Sequence, residues 1–543
     1  MTAPRFSDHV KARGIRLMRR SHLRTLESTS ARTYRSRRVP TSPAPRLLPA
    51  ARRYRGMGWL PTSLIAPEKL PAEAKLPNKY YLPYYATSKL GWMLYGRAQI
   101  NPELEWSAEL SWNEFFAGPQ RGWGDPADDR LFTQLRLQGP NPFMLRKVDA
   151  IDPDRREREG DTIFSLDFGP LYDGAFEATE ARFRLDDGEL SPTSIRIGEL
   201  VFFPPTGGDD AAVAADWDDA KRVVNALDAR EAVFIRHLLM VHLMVGQAYS
   251  LAAYRLPTWH PLRGFMDFFT YGTLVVNDAA YKALLMPDSY FLRSNFVTAA
   301  DARHIIENAT AGFDFTQWVW PKDREARAIG EIDDHPYVAA ADRLWPVFTS
   351  MVEGYLDDLA IDDGDVQTDP HLANWYEVLC EVLPGTESIT KLTNRDELVE
   401  LMTAVIWNNV IHEVCGNLSP LLDSRNPRDL IGVNLASLRR FVHSKGAAAK
   451  TDGQAPIAEP IPKAADVFLM DQATYVSRFN VAGNNLMSMP VARYVDDPRL
   501  RDAIIGLQRD LTRVQGEIET INAARDIPFL NIEPKKFEAS ISF

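Results

Sequence analysis

The segment "RHLLMVHLMV" (236–245) places His237 and His242 five residues apart within a run of leucine, methionine and valine. In an ideal α-helix, positions five apart lie roughly 140° out of line, so the two imidazoles would point to different sides. A π turn, with about one extra residue per turn, would bring both rings to one face, and such turns are frequent at functional sites. The alternative is two core histidines that are satisfied separately.

A third histidine strengthens the metal-site interpretation. The segment "LMTAVIWNNVIHEVCGN" (401–417) is mostly apolar around His412 and ends at Asn417, whose amide oxygen is a further candidate ligand. A helix-borne zinc protease needs His-Glu-x-x-His, which the five-residue spacing does not match. A di-iron protein would show Glu-x-x-His pairs, and we find none. Three imidazoles in apolar helices therefore favour a borderline metal such as iron.

These histidines must be positioned by long helices. Apolar residues recur at three- and four-residue spacing over 217–255, and we predict further helices at 336–360, 371–383, 395–415 and 497–523. Strand-like runs separated by turn residues lie between 162 and 204. Residues 56–128 are predicted to be extended and irregular, and 445–466 to be a flexible loop. The fold class is mainly α, with one large helical domain and a small β region before it.

Composition limits the class of protein. The 543 residues are 45% apolar, enough for a large core. We find no uncharged apolar run of 18 residues, so no membrane span is expected. Cys380 and Cys415 are the only cysteines, which is typical of a reducing compartment, so we expect a cytoplasmic protein without disulfides. The Arg19-Arg20 pair resembles a twin-arginine signal, but no apolar stretch follows it, so we expect no export signal.

The N-terminal residues differ in charge from the rest. Residues 1–55 contain fifteen Lys and Arg against Asp8 and Glu27, whereas the whole chain has a net charge of −11. We predict that 1–55 is a solvated tail or surface strap and that 56–543 is the catalytic domain. The alternative is a patch for anionic membrane or nucleic acid. Of these partners, we expect no nucleic acid and leave only membrane contact open.

Six segments, in order, resemble the lipoxygenase family, in its bacterial type without the N-terminal β-barrel domain of lipid-binding type. From His237 to Pro261 the chain has His, His five residues on, and His-Pro eighteen further on. The other segments that resemble the family are "DRLFTQLRLQGPNPFMLRKV" (129–148), "DWDDAKRVVNALDA" (216–229), "HPYVAAADRLWPVFTSMVEGYLDDLAIDDGDVQTDPHLANWYEVL" (335–379), "LTNRDELVELMTAVIWNNVIH" (392–412) and the final "EASISF".

The resemblance implies a mononuclear non-haem iron bound by His237, His242 and His412, with the terminal carboxylate of Phe543 and either Asn417 or water completing the site. It implies a dioxygenase that removes hydrogen from a 1,4-diene of a polyunsaturated fatty acid and adds O₂ to give a hydroperoxide. Two further positions fall where the family controls oxygen addition and presses on the reacting carbons, namely Ala280 and Leu284. Ordinary helix packing is the alternative for both. The family histidine at His260 is not a ligand, and we expect a structural role.

Several positions depart from the family. Lipoxygenases usually carry Asn, His or Ser four residues after the third histidine, where this chain has Gly416, with Asn417 one further on. Phe543 replaces the usual terminal isoleucine, and two accessory histidines are replaced by Ala232 and Phe269. Two alternatives therefore stay open: an oxygenase of this fold that acts on a different metabolite or on a ready-made hydroperoxide, and a metal-free binding protein derived from such an enzyme.

Overall fold

The computed structural model describes residues 42–72, 128–139, 141–208, 211–286, 289, 292, 299–417, 485–529 and 532–541. The predicted loop at 445–466 and most of the predicted irregular segment 56–128 lie outside them. Within them the chain is mainly helical with a small sheet region, which confirms the predicted fold class.

The β region is a five-stranded antiparallel meander in which each strand pairs with the next. Its strands are β3 (Arg146–Val148), β4 (Thr162–Asp167), β5 (Thr179–Asp186), β6 (Glu189–Ile197) and β7 (Leu200–Phe202). The β5–β6 hairpin turns at Asp187 and Gly188, both with positive φ, as the predicted turn "DDGELSP" requires. Phe183 of β5 stacks on Phe132 of α2 (Asp129–Gln138), which joins the sheet to the helical core.

The central helix α4 (Ala211–Arg255) runs through this core. It is α-helical over Ala211–Arg230, π-helical over Glu231–Gly246 and α-helical again over Gln247–Ala252, and it ends in a 3₁₀ turn, Ala253–Arg255. It is long and apolar enough to cross a membrane, but 89% of its most apolar window is buried inside the protein. Neighbouring protein elements, rather than lipid, cover this helix.

The remaining helices enclose α4. They are α3 (Gly169–Tyr172), α5 (Pro261–Phe269), α6 (Thr273–Leu284), α7 (Ala299–Ala311), α8 (Trp320–Arg327), α9 (Pro336–Asp358), α10 (Asp363–Thr368), α11 (Pro370–Val382), α12 (Arg395–Trp407) and α13 (Pro498–Ala523). The four predicted late helices are thereby confirmed. Three have bounds within two residues of the prediction, and the one predicted at 395–415 is α-helical only to Trp407 before its winding changes. A π turn, Asn408–His412, and a last α turn, Glu413–Asn417, continue α12 and pack against the π segment of α4.

The end of the basic arm is part of the core. Leu47–Pro49 (β1) pairs with Ile65–Pro67 (β2), and α1 (Ala50–Arg53) follows β1. We call residues 46–67 the strap. Its buried side chains join the main hydrophobic cluster, and they are Ala50, Tyr54, Met57, Leu60, Leu64 and Ala66. The described part of the arm is therefore not a solvated tail, and no structural break occurs at residue 55.

A buried ion pair fixes α2 against α4. Arg136 Nη1 lies 3.0 Å from Asp228 Oδ2, and neither side chain is exposed to solvent. Removing one member of such a pair leaves the other charge uncompensated. Asp228→Leu should therefore lower the free energy of unfolding by about 3 kcal/mol, measured by urea denaturation.

Two variants make this prediction specific. Asp219→Asn breaks an exposed pair with Arg222 on the same helix, and it should cost less than about 1 kcal/mol. Arg136→Met combined with Asp228→Leu should recover part of the loss, because no unpaired charge remains. Equal losses from Asp228→Leu and Asp219→Asn would contradict the role given to the buried pair.

Candidate metal centre

The π segment of α4 brings His237 and His242 together. A π-helix hydrogen-bonds each residue to the one five positions away, so residues at this spacing lie on one face. The two Nε2 atoms are 3.2 Å apart and the ring centroids 4.8 Å apart. His242 is buried and His237 is half-buried. The π-helical winding that the five-residue spacing predicted is therefore present, and it places both imidazoles on one face.

Glu413 is the third member of this cluster. Its Oε2 lies 3.2 Å from His237 Nε2 and 3.3 Å from His242 Nε2, and the three donor atoms all lie within 4.8 Å of one another. The π turn Asn408–His412 ends one residue before Glu413 and delivers its side chain to α4. In the part of the chain that the structure describes, this is the one group of three such side chains that could hold a metal ion.

The charged groups in the cluster shift one another's pKa values. Burial alone would raise the pKa of the Glu413 carboxyl, but the adjacent His242 and His237 lower it well below its usual range. Burial opposes the charged form of His242, but Glu413 outweighs it and raises the pKa of this imidazole. The carboxylate is therefore ionised at neutral pH, as a metal ligand must be.

His412 is not in this cluster, and its role as a ligand stays a prediction. Its fully buried ring is stacked between Phe143 and Trp318, with centroid distances of 4.3 and 5.0 Å. Burial, together with the positive charges of Arg236 and Arg327, lowers the pKa of His412 well below its usual value. The ring of His412 thus packs between two aromatic side chains, and the third donor atom of the cluster comes from Glu413, the residue after it.

Two glycines permit close packing at the cluster and beside it. A Cβ on Gly416 would lie 2.6 Å from both Cβ and Cγ of His237, so the ring can occupy its place only beside glycine. A Cβ on Gly246 would lie 2.2 Å from Cδ1 of Ile541, so the C-terminal segment packs directly on α4 four residues after His242. Gly416, which appeared as a departure in the sequence, has a steric role in the structure.

The other predicted positions fall as follows. Ala280 is buried on α6 and Leu284 is half-buried near its end. His260 caps α5 by accepting a hydrogen bond from the Leu262 N–H, and its Nε2 lies 2.9 Å from Asp369, which confirms the expected structural role. Asn417 closes the last turn after α12, but its side chain and the whole of Phe543 lie outside the described residues.

The chain is similar to known lipoxygenases in sequence and in fold. A model of the family described as Lipoxygenase matches residues 192–419. A linoleate 9/13-lipoxygenase from Pseudomonas aeruginosa is 25% identical, covering 76% of this chain and 66% of the relative. A solved lipoxygenase structure in complex with arachidonate superimposes with a TM-score of 0.70 at 17% identity, covering 87% of this chain and 76% of that one. Over residues 192–419 the chain matches a lipoxygenase domain, and its fold is that of solved lipoxygenases.

Another relative carries a different name. A hydroperoxide isomerase from Homo sapiens is 21% identical, covering 76% of this chain and 62% of the relative. The chain thus spans just under two thirds of the length of these two curated relatives.

The family spacing also places Glu413 in register. Lipoxygenases usually carry Asn, His or Ser four residues after the third ligand, and Asn417 stands four residues after Glu413. Counted from Glu413 instead of His412, this spacing no longer departs from the family. Glu413 therefore has the spacing to Asn417 that the family resemblance implies for the third ligand.

The donor set fits a mononuclear iron. Two imidazoles and one carboxylate that converge from two helices form the combination used by non-haem iron oxygenases. Residues that would hold the metal are His237, His242 and Glu413. The steric cradle at Gly416 keeps His237 beside the other two donors.

Exchanging the third donor tests this assignment. Glu413→Ala should reduce bound iron to less than about a tenth of the wild-type content, because a buried ligand is lost and second-sphere changes alone cost 10–100-fold. His412→Phe should retain iron, since phenylalanine can fill the same aromatic stack. Both are measured as iron per protein after reconstitution; loss of iron from His412→Phe with retention in Glu413→Ala would reverse the assignment.

The cradle gives a second prediction. Gly416→Ala should displace His237 and weaken iron binding at least about tenfold in a chelator competition. Gly354→Ala is a matched control, because Gly354 is exposed on α9 with nothing within 4 Å of an added Cβ. It should leave iron binding unchanged and stabilise the fold by up to about 1 kcal/mol. Equal iron affinity in both variants would show that His237 does not depend on the cradle.

Proposed function

We propose that this chain is an iron-dependent dioxygenase that removes a hydrogen atom from a 1,4-diene of a polyunsaturated fatty acid and adds O₂ to give a hydroperoxide. The observation that carries the proposal is the His237, His242 and Glu413 cluster in a chain of lipoxygenase fold. A relative named for action on linoleate and a related structure that binds arachidonate support a fatty acid as the substrate class.

Different residues of this chain would bind the metal, exclude water and shape the oxygen site. Bound iron would supply the one-electron oxidation that makes removal of the hydrogen atom feasible. His237, His242 and Glu413 would hold it, and the apolar side chains of the π segment would exclude water from the reacting carbons. Ala280 and Leu284 on α6 would shape the site where oxygen reaches the substrate radical.

A second function is supported by the same carboxylate. Glu413 gives the centre one more negative charge than a histidine would, which stabilises the oxidised metal relative to the reduced one. Conversion of a ready-made hydroperoxide requires no net uptake of O₂, and one relative is named a hydroperoxide isomerase. The alternative proposal is therefore an isomerase that acts on fatty-acid hydroperoxides. A third possibility is a metal-free binding protein, for which iron-reconstituted protein would contain no stoichiometric metal.

Oxygen uptake separates these proposals. Iron-loaded protein should consume O₂ with linoleate or arachidonate and form a conjugated hydroperoxide in equal molar amount. Consumption of added hydroperoxide without O₂ uptake would favour the isomerase. Failure to react with either class, in protein that binds iron stoichiometrically, would contradict a fatty-acid substrate.

The position of oxygen addition gives a further prediction. Ala280→Gly removes a buried methyl group from α6, so it should change the ratio of hydroperoxide regioisomers at least about twofold, resolved by chiral chromatography. Ala279→Gly carries the same helix penalty, about 1 kcal/mol, at a neighbouring, less buried position. An unchanged product ratio in Ala280→Gly, or an equal change in Ala279→Gly, would mean that Ala280 only packs.

A further inference from the structure

The strap is connected to the metal centre by hydrogen bonds between two side-chain amides. Gln247, five residues after His242 on α4, donates through Nε2 to the backbone oxygen of Ile65 in the strap. Its Oε1 accepts from Asn277 Nδ2 on α6 at 3.2 Å. Asn277 in turn lies with Oδ1 3.2 Å from His242 Nδ1. All three side chains are buried, so water does not compete for these bonds.

The strap carbonyl is available for this contact because of the β1–β2 register. Ala50 N–H donates to Leu64 O, and Glu68 N–H donates to Arg46 O. In an antiparallel pair, hydrogen-bonded and non-hydrogen-bonded residue pairs alternate, so the intervening pair Pro49–Ile65 is non-hydrogen-bonded. The Ile65 carbonyl therefore points away from β1 and can accept from Gln247.

Donors and acceptors can be arranged in only one direction along this chain of hydrogen bonds. A backbone carbonyl can only accept, so Gln247 must turn its amide nitrogen to Ile65 and its oxygen to Asn277. Asn277 must then direct its nitrogen to Gln247, and the same nitrogen donates to the His242 carbonyl at 2.6 Å. This leaves Asn277 Oδ1 facing His242 Nδ1, which must carry a proton. Nε2 of His242 faces His237 and Glu413.

We propose that the strap, through Gln247 and Asn277, fixes the ring orientation of His242 by holding its Nδ1, and so acts as a positioning element of the metal centre. Metal-ligating histidines need their second ring nitrogen held by an acceptor. Here the acceptor is itself oriented by a backbone carbonyl in the N-terminal region. The proposal rests on the assignment of His242 as a metal ligand but not on the substrate.

A second contact holds the strap and α6 in a fixed relation. Arg53 forms an ion pair with Asp278, the residue after Asn277, and Tyr54 donates a hydrogen bond to the same carboxylate at 3.0 Å. Tyr54 also stacks on Tyr281, with ring centroids 4.5 Å apart. The two ends of the amide chain, Ile65 and Asn277, are therefore anchored to each other independently of the metal centre.

Gln247→Glu is the most informative variant, because it keeps the shape of the side chain but replaces the donor to Ile65 with an acceptor. It should weaken iron binding about 10–100-fold in a chelator competition. Gln247→Met, which introduces no charge, should weaken it in the same direction. Ser250→Ala, on the same helix with only a local bond to the Gly246 carbonyl, is the control and should bind iron like the wild type.

The hydrogen bond at Nδ1 can be observed without metal or substrate. In [¹⁵N]histidine-labelled protein, the Nδ1–H proton of His242, assigned by its loss in His242→Ala, should exchange slowly with solvent. In both Gln247 variants it should exchange faster. Wild-type iron affinity and an unchanged exchange rate of this proton in Gln247→Glu would overturn the proposal.

Two strap variants test the proposal even if the Gln247 variants do not fold. Arg53→Met should weaken iron binding several-fold, whereas Arg52→Met, at the adjacent exposed position, should not. Equal iron affinity in these two variants would also overturn the proposal. All of these readouts are independent of oxygen uptake, so a failed fatty-acid assay would affect the proposed function and leave this inference standing.

Discussion

The centre depends on π-helical hydrogen bonding in the middle of a buried helix. Over Glu231–Gly246 the winding of α4 places residues five apart on the same face, and only this winding brings His237 and His242 within 3.2 Å. An α-helical α4 would turn one imidazole into the apolar core without a partner, at the cost of an unsatisfied buried polar group. The surrounding elements therefore have to hold this winding in place, and the second π turn at Asn408–His412 packs directly against it.

The buried carboxylate of Glu413 is the third donor group of the cluster. Glu413 is fully buried, and such a charge is tolerated only when it is paired. His237 and His242 provide that pairing, so the three groups stabilise one another before any metal arrives. With Glu413 in place of a third imidazole, the donor set becomes that of the carboxylate-containing iron oxygenases. The added negative charge is the reason why we propose a hydroperoxide isomerase as the alternative to the dioxygenase.

Much of the architecture could be predicted from sequence because it is local. The late helices and the β5–β6 turn follow from periodicity and turn residues, and the five-residue spacing of His237 and His242 signals a π turn. Glu413 was missed because the adjacent His412 matches the expected ligand type. One signal was available, since Asn417 stands four residues after Glu413 and five after His412. The orientation of these two neighbouring side chains depends on the π turn that precedes them.

Longer-range features could not be read from the sequence. Asn277 lies 35 residues from His242, and Ile65 lies 182 residues from Gln247, so no spacing rule connects them. The strap belongs to a basic arm whose composition predicted a solvated segment, yet its apolar side chains are part of the main core. Charge composition describes the arm as a whole, whereas the packing depends on the few apolar residues between 47 and 66.

The central claim is that two imidazoles and the Glu413 carboxylate bind the metal. X-ray absorption spectroscopy of iron-loaded wild-type protein counts imidazole ligands through their multiple-scattering signal. We expect a best fit with two imidazoles and otherwise oxygen ligands, unchanged in His412→Phe. A fit that requires three imidazoles in the wild type, falling to two in His412→Phe, would contradict it.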